Sequence, residues 1–260
     1  ICRHGGDVLG EARALVAIGD VYAARYLYRR ALGAYRTAYR KFRASDDKVG
    51  VSLALNRLGG IHAQVGNAAR ALGHHREALR LEREADDREG VGATLDLLGD
   101  AYRRRGDLER AEESFREALA LKRERADVRG SADSLVSLGS VALAAGRLDD
   151  ALERLEQALA LARRSATARA EAAALVRLAQ ARLRKGEGAR AVEHAEEARG
   201  ARPARARVPF LHASRRSAPR GRAGARGVRE LRGRARGRER CGRGGEIGAR
   251  GVPPQVAREG

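Results

Sequence analysis

His62, His74 and His75 are the residues of this sequence best suited to hold a metal or carry a proton near neutral pH, because imidazole titrates there and ligates through either ring nitrogen. Their spacing offers no i, i+4 ligand pair on a helix, and no spaced cysteine or carboxylate completes a ligand set. Cys2 and Cys241 stand at opposite ends of the chain, too few for a disulfide framework or a zinc cluster. The histidines are therefore expected to fill packing positions or lie on the surface, with no metal bound. Ser, Asp and His never gather as nucleophile and base, and no glycine-rich phosphate loop follows a strand. An enzyme is not expected, nor a cofactor. The run Glu82, Glu84, Asp86, Asp87 and Glu89, interleaved with Arg80, Arg83 and Arg88, has the pattern of a solvated helix end with local ion pairs. Recognition is the chemistry that remains. Asp96 and Asp100 stand with Arg103 and Arg104 at helical spacing, and Arg103, Arg104 and Arg105 together can receive an acidic group through bidentate hydrogen bonds.

Those residues are positioned by a period of forty. Gly19, Gly59, Gly99, Gly139 and Ala179 form one column; Leu15, Leu55, Leu95, Leu135 and Leu175 form another. Two columns are wholly Ala: Ala31, Ala71, Ala111, Ala151, Ala191, and Ala38, Ala78, Ala118, Ala158, Ala198. Within each unit, apolar residues such as Leu95, Leu98 and Tyr102, then Ala111, Phe115, Ala118 and Leu119, recur at helical spacing on both sides of a break. The breaks fall at Gly66-Asn67, Gly106-Asp107, Gly146-Arg147 and Gly186-Glu187; in the first unit Tyr26 replaces the turn glycine. Asp7, Asp47, Asp87, Asp127 and Thr167 mark the starts of units and are predicted to cap the helices that follow. Each unit is then a helix of about four turns, a tight turn and a second such helix. Small residues let the helices approach closely while Leu and an aromatic fill the gaps. One hairpin cannot bury its apolar stripe alone, so the hairpins must stack.

These columns resemble the tetratricopeptide repeat (TPR) in its variant of about forty residues, as found in Pins-type scaffolds, kinesin light chains and bacterial regulators. The string Leu98-Gly99-Asp100-Ala101-Tyr102 through Gly106-Asp107-Leu108-Glu109-Arg110-Ala111 carries the likeness best. The aromatic slots vary: Tyr35 and Phe115 become His75, Leu155 and Ala195, while Tyr22 and Tyr102 become His62, Ala142 and Arg182. The fifth repeat is thus degraded, and no closing helix is legible after Gly200, so both ends of the array are expected to be poorly capped. The resemblance implies an all-α fold, an α-solenoid of about five stacked antiparallel helix hairpins over residues 1–200. It further implies that first-helix residues line a concave groove for a partner peptide or domain. By register these are Asp20, Asn56, Gln64, Asp96 and Asp100 in the first three repeats, then Arg103 and Arg104, and Ser140, Gln180 and Arg184 in the last two. Asn56 matches the scaffold-type Asn-x-Leu-Gly motif as Asn56-Arg57-Leu58-Gly59.

Charge divides the chain at the same place. Of 53 basic and 34 acidic residues, 17 Arg and four Glu lie in 201–260, so that segment carries +13 of the net +19 and residues 1–200 only +6. The tail is Arg, Gly, Ala and Pro with almost no periodicity, a composition that predicts disorder. Three readings fit it: RNA or DNA binding through repeated Arg-Gly dipeptides, a tether to an anionic surface, or translation of a GC-rich gene out of frame. No apolar run is long enough for a membrane span and no signal peptide is legible, so a cytoplasmic protein is expected. The absence of any methionine suggests a fragment of a larger signalling or regulatory protein. The expected function is a protein-interaction scaffold, with nucleic-acid association through the tail as the alternative.

Overall fold

The computed structural model describes residues 7–200; the tail, with the expectations of disorder, nucleic-acid binding and a shifted frame, lies outside them. Among the described residues there are ten helices and no strand: α1 Val8–Ala24, α2 Tyr28–Ala44, α3 Lys48–Gln64, α4 Ala68–Glu84, α5 Arg88–Arg105, α6 Leu108–Glu124, α7 Val128–Ala144, α8 Leu148–Arg164, α9 Ala168–Arg184 and α10 Gly188–Gly200. They pair as five antiparallel hairpins, and each second helix packs on the first helix of the next hairpin.

The starts of the first helices follow from side-chain chemistry. The carboxylates of Asp7, Asp47, Asp87 and Asp127 accept hydrogen bonds from the backbone N–H of Gly10, Gly50, Gly90 and Gly130, satisfying a donor that has no partner inside the helix. Thr167 departs from the expected pattern. Its hydroxyl accepts from Arg129 Nε at 3.2 Å and pairs with the Ser165 hydroxyl at 2.8 Å, so α9 begins without a side-chain cap. Asn67 and Asp107 cap the second helices α4 and α6 in the same way as the aspartates. Every turn places one residue in the left-handed region. Inside the repeats it is Tyr26 (φ 60°) and then Gly66, Gly106, Gly146 and Gly186; between repeats it is Asp46, Asp86, Ala126 and Ala166, at φ 50° to 54°.

The glycine column is a set of sockets. A Cβ on Gly19, Gly59, Gly99 or Gly139 would stand 2.3 to 2.7 Å from the side chain of Tyr35, His75, Phe115 or Leu155 respectively. Each of those side chains comes from the second helix of the same hairpin and is almost fully buried. In the fifth hairpin both partners are Ala, Ala179 and Ala195. Bulk on one helix is thus matched by its absence on the other, which sets how closely the hairpin closes.

First helices of successive repeats touch one another, α1 with α3, α3 with α5, α5 with α7 and α7 with α9, whereas successive second helices do not. The stack therefore curves with the first helices on its inner side. The apolar core forms one body mainly in repeats 3 to 5, centred on Phe115, Leu138, Leu155 and Leu178, and another in repeats 1 and 2 around Tyr35, Phe42 and Leu55.

Candidate functional site

The inner side is built from the helical positions that packing leaves over. In repeats 3 to 5 they bound an open cleft of about 550 Å³ that brings together four of the residues expected in a groove: Asp100, Arg103, Ser140 and Gln180. Val136 and Val176 form apolar wall between them, and Arg177, which the sequence reading passed over, completes the lining. Asp100 pairs with Arg103 at 2.9 Å, three residues on, and not with Arg104. Arg177 Nη1 donates to Gln180 Oε1 at 2.9 Å, which leaves the Gln180 amide N–H groups free to donate. The Ser140 hydroxyl donates to the Val136 carbonyl at 2.8 Å, so toward the cleft it can only accept. The cleft thus offers both donors and acceptors beside a partly apolar wall. That suits the N–H and C=O groups of an extended chain, with two guanidinium groups for carboxylates.

Other expected groove residues lie elsewhere. Gln64 and Arg104 line a separate, smaller cleft of about 260 Å³. Arg184 donates to the Leu143 carbonyl at 2.8 Å and so ties repeat 5 to repeat 4. Asp20 accepts from the Tyr35 hydroxyl at 2.7 Å and from Arg57 Nε at 2.8 Å. Burial, reinforced by this carboxylate, pushes the Tyr35 phenol well above its ordinary range.

A family model described as the MalT-like TPR region matches residues 4–218. The chain belongs to this TPR family. No curated protein gives a sequence match. Among solved structures the TPR array is similar to BtubC (BKLC) from P. vanneervenii, with 19% identity over 84% of this chain and 87% of that one at a TM-score of 0.67. It is also similar to the nearly identical TPR-like repeats of a putative kinesin light chain from Podosopora anserina, with 17% identity over 75% of this chain and 96% of that one at a TM-score of 0.63. A Rap protein complexed with Competence and Sporulation Factor aligns at 14% identity and a TM-score of 0.66, over 74% of this chain and 54% of that one. At these identities the likeness is one of fold.

Two expected groove residues of the TPR array turn inward. Asn56 is buried: its amide donates to Thr94 Oγ1 at 2.6 Å and to Glu82 Oε1 at 3.1 Å, and its carbonyl lies 3.0 Å from His75 Nδ1. An amide oxygen only accepts, so the His75 proton sits on Nδ1. Burial, then the neighbouring His74, lowers the His75 pKa to about 4. Asp96 forms an ion pair with Lys122 and accepts from Ser134 at 2.9 Å; burial pushes its carboxyl up and Lys122 opposes that. Both residues hold repeats together. Asn56 is buried, whereas the Asp96 side chain stays 28% exposed.

Glu82 corrects the expectation of a solvated acidic cluster, since it is only 2% exposed. Thr94 and Asn56 donate to one carboxylate oxygen while Oε2 has no partner, and burial raises the pKa against the hydrogen bonds of Thr94 and Asn56. The signal was in the register: Phe42, Glu82, Lys122 and Ala162 are forty apart, and the first three abut Gly50, Gly90 and Gly130. His62 and His74 stack with ring centroids 5.4 Å apart, both lowered in pKa first by burial. Among the described residues no three His, Cys, Asp or Glu side chains gather to hold a metal ion, and no helix is long and apolar enough to cross a membrane.

Proposed function

We propose that this TPR array is a non-catalytic interaction module that holds an extended segment of mixed polarity, from a partner protein or a neighbouring domain, along α5, α7 and α9. The observation that carries the proposal is the cleft in which Asp100, Arg103, Ser140, Arg177 and Gln180 offer donors and acceptors beside the apolar Val136 and Val176. A structure of similar fold complexed with Competence and Sporulation Factor supports a binding role. A peptide of mixed polarity suits the site better than a purely acidic one, because Asp100 already balances Arg103.

Peptides selected from a random display library and measured by calorimetry test this. Arg103→Ala with Arg177→Ala removes two guanidinium groups, each worth about 1.5–3 kcal/mol when bonded to a charged group, and should weaken binding by about a hundredfold or more. Arg116→Ala on the outer side should leave binding unchanged. Selected peptides that bind the double variant as well as the parent chain would place recognition elsewhere.

A further inference from the structure

The third and fourth repeats leave no large apolar side chain exposed among the described residues; repeat 2 leaves Val49 and Val65, and the two ends of the array leave more. Among the described residues, the large apolar side chains left exposed include Leu9, Ile18, Val21 and Leu27 in repeat 1 and Val176, Leu183 and Val192 in repeat 5. Ile18 and Val21 stand in columns whose later members, such as Leu58, Leu98 and Leu138 or Ile61 and Val141, are buried against the preceding repeat. The outer side of α1 is therefore an interior surface with no repeat in front of it among the described residues. Terminal repeats of a solenoid that stays alone carry a polar outer side instead.

The joints inside the array say what would fit there, because successive repeats meet at fixed columns. Glu112 accepts from Arg147 at 2.5 Å and from Arg154 at 3.2 Å in the next repeat. Asp133 accepts from Arg169 at 2.8 Å, and Asn56 donates to Thr94 at 2.6 Å. Arg76 donates to the Tyr102 hydroxyl, and Arg182 to Glu156, at one further pair of columns. Let repeat 1 of a second copy follow repeat 5, and the same columns bring Val192 to Leu27 and Ala34, Ala173 to Leu9, and Val176 to Ala14. The last pair of columns sets the Tyr22 hydroxyl against the Glu196 carboxylate. Interior joints use opposite charges at several of these places. The joint between copies is apolar at each of them but one, where a donor meets an acceptor, and it opposes no like charges.

We propose that the chain associates with itself head to tail, the α9–α10 end of one copy stacking on the α1–α2 end of the next and continuing the solenoid. The contact uses different surfaces on its two sides, so it does not close at a dimer and yields an open series. Ala173 and Val176 also line the cleft, so the joint adjoins it, whereas Leu27 and Val192 lie outside it.

Sedimentation of the full chain over two decades of concentration tests the proposal. The mean mass should rise past that of a dimer. Leu27→Arg and Val192→Glu are exposed substitutions that leave the fold intact by circular dichroism, and each should weaken association by about tenfold or more, since each desolvates an unpaired charge in an apolar contact. Combined in one chain they reproduce, between copies, the Arg147 to Glu112 pair. Association should then return and fall with added salt. A parent chain that stays monomeric, as it would if residues 201–260 cover α10, overturns the proposal. So does a dimer that grows no further, or a double variant no better than the singles.

Discussion

Substituting Gly99→Ala puts a number on the socket that closes the third hairpin. The added methyl would stand 2.7 Å from Cε1 and Cζ of Phe115 and 2.9 Å from Cδ1. Comfortable carbon contacts lie at roughly 3.5–4.0 Å, so the ring must retreat by about 1 Å. Phe115 is fully buried and has little room to do so. Overpacking of this kind costs about 1–3 kcal/mol, while replacing a mid-helix glycine by alanine returns about 1 kcal/mol. The net expectation is a loss of about 1 kcal/mol. In a Phe115→Ala chain, which itself loses about 3–5 kcal/mol, the socket is empty and only the gain survives. Gly99→Ala should there stabilise by about 1 kcal/mol, giving a coupling of about 2 kcal/mol between the two positions. The fifth hairpin already holds the double substitution as Ala179 with Ala195. Urea unfolding followed by far-ultraviolet circular dichroism reads all four corners of the cycle, provided the denaturant slopes agree. Equal effects of Gly99→Ala in the two backgrounds would refute the socket as the reason for the glycine column.

Two further predictions concern the turns and pH. Ala126 and Ala166 hold φ of 54° and 50°, a conformation that costs a residue with a Cβ about 1–2 kcal/mol. Glycine at either position gives back some of that in backbone entropy, so Ala126→Gly or Ala166→Gly should stabilise by about 0.5–1 kcal/mol in the same unfolding assay, whereas Gly106→Ala at φ 86° should destabilise. His75, with its pKa lowered from 6.5 to about 4, is kept neutral by the fold. Its contribution is intact above the unfolded value and declines as pH falls toward the folded one, by up to about 3 kcal/mol. Glu82, with a raised pKa, works in the opposite sense above its ordinary range, so the comparison belongs in a Glu82→Gln chain. Adding His75→Phe there should flatten stability between pH 6.5 and 4; an unchanged slope would mean that His75 does not titrate as its burial requires.

Much of the fold is legible in sequence because the same spatial constraint recurs every forty residues. Gly19, Gly59, Gly99 and Gly139 repeat because each hairpin must admit a side chain from its second helix. The aspartate caps are legible for a similar reason, since the interaction spans three residues. Thr167 escapes because its hydroxyl is taken by Arg129, 38 residues away. Distance in sequence also hides the inward polar residues. Asn56 and Asp96 look like surface positions by type, and their partners Thr94 and Ser134 belong to the following repeat, 38 residues on. Four of the expected groove residues share one cleft because they fall in columns that no packing contact claims. The register supplies those columns, but which of their polar members already bond within the protein depends on neighbours that a single helix does not reveal.

A chain of near-identical hairpins could stack in the wrong order, and the small contacts at the repeat joints supply addresses against that. Phe42 lies against Gly50, Glu82 against Gly90 and Thr94, Lys122 against Gly130 and Ser134, and Ala162 packs with Ala170. Skip the fourth hairpin, and Lys122 meets the methyl groups of Ala170 and Ala174 in place of a glycine and a hydroxyl. Dock the first hairpin on the fifth, and Phe42 meets the methyl of Ala170 where only a glycine leaves room. These joints thus penalise the two wrong orders that would set Lys122 or Phe42 against the alanines of the fifth hairpin, and sequence differences between repeats act as partial addresses in the stack.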